Sequence, residues 1–466
     1  MTKMHVLLVR PLKEADFHYL CPDIGLGYLS TALKRQGHTV ELLDLQLALF
    51  RRQVTAKSAI DLLLQKQADV IGFKALNLEL PFARAAAAAL KAQRPERKLI
   101  VGGPASSGLQ DQIFKHLPAV DFAFRGEAEI GFPALLANLE PGGRYEDIPG
   151  LIWRENGQVR QNPQIFTEDL DSLGPIDWEL LNPPAYPTDW SGGDTKFPIM
   201  ATRGCPYTCN YCQGHTICGR KFRTRSVEAV IDEIQFLQRR FGLTSFSIAD
   251  DNFTFNREYS VRFAETLLSR NIKLKWHCHN ALRVETLDVE LMRLFEKAGC
   301  YYARVAIESG SQRVLDLMNR RSNLERIKEI ITQIAANTHI RMMAFFILGY
   351  PGETVEEAKM SIDLACRLPL DRAGFFNFTP LPGTVIYQRL QAEGLLENFD
   401  IEKNALNVKP LVAFSHSPRT LHWLKLKGLL RFYLRPRVIK GLLADIESFE
   451  HFRRLLQRVT SVVFGR

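Results

Sequence analysis

Short apolar runs alternate with helix-period stretches through most of this chain, in two separate series. The first series places runs at 5–9, 39–43, 68–73, 98–101 and 119–124, with helical patterns at 26–36 and 81–92. Apolar strands separated by helices call for a parallel sheet covered on both faces, because each crossover carries its helix across one face. Residues 1–140 are therefore expected to form a doubly wound, Rossmann-like α/β domain with ligands past the carboxyl ends of its strands. A second series runs through 197–201, 245–249, 273–277, 302–307, 341–348 and 373–379. Six such strands fit a partial (β/α)6 TIM-type barrel over 196–404 better than another open sheet. Between the series, 141–195 is rich in Gly, Pro, Asp and Trp and reads as a linker. The last stretch, 405–466, is helical, basic and aromatic.

A chain of 466 residues exceeds one ordinary core, and 46% hydrophobic with 24% charged residues describes a folded protein. The net charge is +9, but residues 419–466 carry +8 of it, leaving the body near neutral. That basic segment, including Leu424-Lys425-Leu426-Lys427 and Arg435-Pro436-Arg437, suits either a helical cap on the barrel or a peripheral contact with an anionic membrane. Pro436 is expected to break its helix. No recognisable RNA-binding module accompanies the charge. Apolar runs stay short of the roughly 20 residues that span a bilayer, and the start reads as a strand rather than a signal peptide. A cytoplasmic protein is expected, peripheral to the inner face of the membrane if the basic segment binds lipid. Its eight cysteines then remain thiols.

Three of those cysteines fall within eight residues, in Arg203-Gly204-Cys205-Pro206-Tyr207-Thr208-Cys209-Asn210-Tyr211-Cys212, just after the strand that opens the second series. Thiolates are the preferred ligands of iron–sulfur clusters. Three on one loop can hold three irons and leave a fourth open. The competing arrangement is structural zinc with His215 or Cys218 as fourth ligand, which with the basic tail would make a zinc-stabilised nucleic-acid-binding protein.

The CxxxCxxC spacing, with an aromatic residue before the last cysteine, resembles the radical S-adenosylmethionine (SAM) superfamily. The resemblance implies a [4Fe-4S] cluster on Cys205, Cys209 and Cys212, with SAM held by Tyr211, Asp250, Asp251, Glu308, Ser309, Ser311, Gly349 and Tyr350. Each of the strand-end motifs also suits an ordinary turn or helix cap. In the first domain, Gly25-Leu26-Gly27-Tyr28-Leu29, Gln36-Gly37-His38, Leu43-Asp44, Val101-Gly102-Gly103-Pro104 and Arg125-Gly126-Glu127-Ala128-Glu129 are similar to the cobalamin-dependent radical SAM family, of the class B methyltransferase type. This implies cobalamin near Phe73, Lys74, Gly102, Gly103, Pro104, Gly126 and Glu127. Asp16-Phe17-His18 approaches a cobalt-ligand motif but has Cys21 where that motif has glycine. The family implies C-methylation of an unactivated carbon in a small-molecule or lipid-like substrate through a 5′-deoxyadenosyl radical, with a flavodoxin or ferredoxin as reductant. Cyclisation or rearrangement, with or without cobalamin, is the alternative. No catalytic side chain is assigned. His277, Cys278, His279, Asn280, Tyr350 and residues 375–378 are candidates to line the barrel.

Overall fold

The computed structural model describes residues 2–13, 20–140, 142–187, 196–403 and 414–446. The first apolar runs become β1 (His5–Arg10), β2 (Thr39–Asp44), β3 (Val70–Lys74), β4 (Lys98–Gly102) and β5 (Phe122–Phe124). These five are parallel in the order β2-β1-β3-β4-β5, so the chain reverses its winding between β1 and β3. The pleat sends Leu7, Val9, Ile71 and Phe73 into one core, and Val6, Leu8, Val70 and Ile100 into another. Both faces are thus covered, as uninterrupted apolar strands demand.

The expected linker holds more structure than its composition suggested. Within it, β6 (Leu151–Glu155) and β7 (Gln158–Gln161) form a hairpin that extends the first sheet antiparallel beyond β5. The sheet therefore continues past residue 140. Every residue of β7 is exposed, so it carries no apolar signal.

Next, β8 (Pro198–Ile199) leads into a small antiparallel ribbon of β9 (Thr202–Arg203) and β10 (Arg223–Thr224). The second sheet then adds β11 (Ser245–Ile248), β12 (Lys275–Arg283), β13 (Cys300–Glu308), β14 (Arg341–Leu348) and β15 (Arg372–Asn377). Its strands run parallel in chain order from β8 to β15, the sequence of a partial barrel. Along β14, Met342, Ala344, Phe346 and Leu348 pack outward against helices, whereas Met343, Phe345 and Ile347 remain partly accessible. A central strand covered on its outer face can show that alternation only if the inner face curves round a hollow.

The third barrel strand does not end at the His277–Asn280 group; it continues to Arg283 with a register irregularity between Cys278 and Leu282. Cys278 faces the outer core. The basic segment forms helix Pro418–Tyr433, whose Gly428 would bring an added Cβ to 3.2 Å from Ile362 and Phe375. Tyr433 donates to Ala373 O at 2.9 Å, so this helix caps the barrel. Pro436 is the first residue of a new helix, Pro436–Ala444, rather than the end of the old one. No helix among the described residues is long and apolar enough to cross a membrane.

Candidate active site

The three clustered cysteines lie on the loop 204–222, which joins β9 to β10. Gly204 opens it at φ +87°, where an added Cβ would fall 2.2 Å from Lys221 O; only glycine fits both demands. The loop is pinned to the barrel at its centre. Asn210 N–H donates to Met318 O (3.1 Å) and Asn210 Nδ2 to Leu317 O (2.8 Å). Asn319 Nδ2 donates to Thr208 O at 2.8 Å. Tyr350, fully buried, donates its hydroxyl to Asn210 Oδ1 at 2.7 Å and stands edge-on to Tyr211. The structure therefore gives Tyr350 the task of supporting the loop from below.

Cys212 and Asp251 are open to solvent, yet protein surrounds both so closely that burial raises their pKa values, Cys212 to about 12. Accessible groups deep inside a molecule line a cavity. Burial also raises Cys205. Without metal these sulfurs are thiols, and iron would displace their protons. Two donors face them: Gly214 N–H at 3.4 Å from Cys212 Sγ, and the Arg320 guanidinium at 4.0 Å from Cys209 Sγ. Soft sulfur ligands on one loop, with N–H groups aimed at the sulfur, fit a [4Fe-4S] cluster. Among the described residues no three His, Cys, Asp or Glu side chains converge as ligands of a single ion. His215 places Nδ1 3.0 Å from Cys212 O. Cys218 is held well above its ordinary range by burial.

The strand-end motifs divide into groups that face the cavity and groups committed elsewhere. Asp250 accepts from Ala201 N–H and Thr202 Oγ1, both at 2.8 Å, and burial pushes its carboxyl up to about 7. It ties the end of β11 to the approach to the cysteine loop. Ser311 caps helix Gln312–Leu317 and donates to Glu357 at 2.7 Å, while Ser309 is fully buried against Ser361. Gly349 turns at φ +81°, with its N–H 2.5 Å from Glu353 Oε2. Glu308 sits at φ +72°, a strained conformation for a non-glycine residue, at a register shift in β13. Its carboxyl is raised by burial, and Arg320 lies 3.9 Å away. Asp251, Glu308 and Tyr211 are thus the groups brought to the cavity. Arg320, which bonds Ala306 O at 2.6 Å and reaches Tyr211 at 3.5 Å, carried no sequence signal.

In the first domain, Gly103 has φ +92° and its added Cβ would meet Lys74 Cγ at 2.9 Å; Pro104 starts helix Pro104–Leu109. Two buried polar atoms beside this turn, Ser106 Oγ and Asn77 Oδ1, find no partner among the described residues. A glycine-lined crevice with unsatisfied polar atoms at a sheet's carboxyl edge suits a large polar cofactor such as cobalamin. Three residues assigned to that cofactor also have partners within the protein. Phe73 is buried in the sheet's core, and Lys74 is paired with Asp23. Glu127 is bonded at both oxygens to Arg223, at 2.5 and 3.0 Å. Gly126 turns at φ +71°, its N–H 3.0 Å from Ser107 Oγ. Asp16 and His18 lie outside the described residues.

The two domains meet beside the cysteine loop. Gly108 has no room for a Cβ, which would lie 2.1 Å from Gln213 Nε2 and 2.7 Å from Pro382 O. Neither Gly108 nor Gln213 was legible as functional, because the contact joins distant parts of the sequence.

A model of the Radical SAM superfamily matches residues 199–365, and one of the B12 binding domain matches 15–136. An uncharacterized methyltransferase of Pyrococcus horikoshii is 28% identical over 464 residues, covering 98% of this chain and 97% of that protein. The anaerobic magnesium-protoporphyrin IX monomethyl ester cyclase of Cereibacter sphaeroides is 27% identical over 389 residues, 82% of this chain and 62% of that protein. Among solved structures, the radical SAM methyltransferase TsrM of Kitasatospora setae, with tryptophan and a SAM analogue bound, is similar in fold. Its TM-score is 0.70 at 18% identity, covering 95% of this chain and 88% of that one. The chain thus carries a B12 binding domain at 15–136 followed by a Radical SAM superfamily domain at 199–365, on a fold similar to that of TsrM.

Proposed function

We propose that this enzyme methylates an unactivated carbon of a small molecule, with cluster and cobalamin addressing the substrate from the two sides of the interdomain cavity. The observation that carries this is the placement of the cysteine loop against the first domain at Gly108, below an accessible barrel interior. When bound, the cluster supplies the electron that releases a 5′-deoxyadenosyl radical from SAM, and cobalamin supplies the methyl group.

This chain's residues have narrower tasks. Cys205, Cys209 and Cys212 hold the cluster. Asp251, Glu308 and Tyr211 meet the polar end of SAM, with Asp250, Ser309, Ser311, Gly349 and Tyr350 fixing the backbone behind them. Gly102, Gly103, Pro104 and Gly126 let the first domain's backbone approach cobalamin. The barrel's inner wall orients the substrate and excludes water from the radical. Met343, Phe345 and Phe376 are partly accessible there, and Phe345 and Phe376 pack edge to face at 5.2 Å, favouring a substrate with an apolar body. Methylation is preferred to cyclisation because the methyltransferase relative matches end to end, whereas this chain spans 62% of the cyclase.

A flavodoxin or ferredoxin serves as reductant in this proposal, in the cytoplasm. The exposed Trp423, Leu430 and Leu434, near Lys427 and Arg437, give any contact with a membrane its place. The test is anaerobic purification with cobalamin supplied, followed by iron, sulfide and cobalt assays and labelled-methyl transfer from SAM. About four iron and one cobalt per chain is the expected result. Iron without cobalt overturns the cobalamin step, and 5′-deoxyadenosine without methyl transfer to any substrate overturns methylation.

A further inference from the structure

Arg203 and Arg223 are directly opposite each other in the β9–β10 ribbon. Like charges in that position push the strands apart. These strands are the two ends of the cysteine loop, so their repulsion acts at its neck. Both side chains are nearly sealed from solvent, 5% and 2% exposed, so water does little to screen them.

The opposing charges come from the first domain. Glu127 lies 3.4 Å from Arg203 and takes two hydrogen bonds from Arg223. Glu129 pairs with Arg203 at 2.8 Å. The Arg203 guanidinium also lies over the ring of Tyr28, 4.7 Å from its centroid. Arg223 further donates to Cys218 O at 2.8 Å, gripping the loop itself, and to Thr167 O at 2.7 Å in the stretch between the domains. Two cations of the barrel thus meet two anions of the first domain, all buried. Removing Glu127 leaves the buried Arg223 guanidinium without its carboxylate partner, while Arg203 keeps Glu129; an uncompensated buried charge is far more costly than the intact pair is stabilising.

We infer that Glu127 and Glu129 are positioning residues for the cysteine loop: the B12-binding domain supplies the charge that keeps the loop's neck closed. Docking of the two domains and preparation of the cluster site then become one event. The inference builds on the reading of this loop as the cluster site, but its geometry is present without metal and is tested without metal.

The experiment measures alkylation of individual cysteines in the metal-free, full-length protein by mass spectrometry. Buried Cys300 serves as the internal reference for global unfolding. Glu127→Gln is expected to raise alkylation at Cys205, Cys209 and Cys212 about tenfold relative to Cys300. A Glu127→Leu/Arg223→Met double variant, which removes both members of the pair, is expected to return the rates to within about twofold of the parent. After anaerobic reconstitution, Glu127→Gln should retain cobalt but lose iron several-fold and show a broadened reduced-cluster EPR signal.

Unchanged alkylation in Glu127→Gln overturns the inference. So does loss of cobalt with iron fully retained, which would make Glu127 a cobalamin contact. If the parent binds no iron yet Glu127→Gln still loosens the loop, the positioning role stands and the proposed reaction falls. If Glu127→Gln exposes Cys300 as strongly as the loop, the cluster is a general stabiliser and the inference is overturned.

Discussion

Strands β3 and β14 are both apolar and lie between parallel neighbours, yet they serve opposite purposes. In β3, Val70, Ile71, Gly72 and Phe73 are all buried, because helices cover both faces. In β14, alternate residues reach a hollow. The flat, twisted sheet can therefore bind only at its carboxyl edge, where Gly103 turns. The curved sheet binds at its edge and along its inner wall. Similar apolar runs give a solid wall in one domain and a chamber in the other. Curvature makes the difference, and it depends on how all six strands close together.

The hardest test of this division removes one cofactor site at a time. Cys209→Ala should leave less than about a tenth of the parent's iron and no measurable turnover, while cobalt binding persists. Gly103→Val, at positive φ and against Lys74, should do the reverse. Metal analysis of both proteins checks the pair; loss of both metals in either variant would mean the domains are not separable.

A smaller effect separates wall from chamber. Ile71→Ala, in the solid sheet, should cost about 3 kcal/mol in denaturant unfolding because it leaves a cavity among packed neighbours. Phe345→Ala, on the accessible face of β14, should cost about 1 kcal/mol and act mainly on substrate KM. Equal losses would show that the barrel interior is packed core.

The smallest effect concerns pH. Asp250 titrates near 7 when folded, above its unfolded range, mainly because it is desolvated. Between these limits the folded protein holds a proton that the unfolded chain has released, so stability from this group is full at low pH and is lost as pH rises toward 7. Asp250→Asn should flatten that slope by up to about 1.4 kcal/mol per pH unit, measured by denaturant unfolding across the window. An unchanged slope would place the carboxyl in solvent.

The legible parts were those with local signals. The Lys98–Gly102 strand followed from its apolar run and its closing glycines. The loop 204–222 followed from cysteine spacing. The β6–β7 hairpin was missed because β7 is an exposed edge with no periodicity. Ser311 illustrates ambiguity of another kind. Its type suits both a helix cap and a ligand contact, and the chain around it did not reveal that Glu357 already takes its hydroxyl. Glu127 was assigned to the cofactor by resemblance, and its ion pairs with Arg203 and Arg223, 76 and 96 residues downstream, left no signal in the chain around it.

By itself the sequence determined the order of the two α/β units, the placing of three cysteines on one loop and the strand ends from which a site would be built. These depend on side-chain period, residue chemistry and close spacing, all of which act along the chain. Only the tertiary structure decided which candidate groups face the cavity and which are consumed in caps, cores and ion pairs. It alone brought the first domain's Glu127 and Glu129 onto the two arginines at the neck of the second domain's cysteine loop. The physical reason is that burial and charge pairing are set by neighbours in space, and in this protein the decisive neighbours come from the other domain.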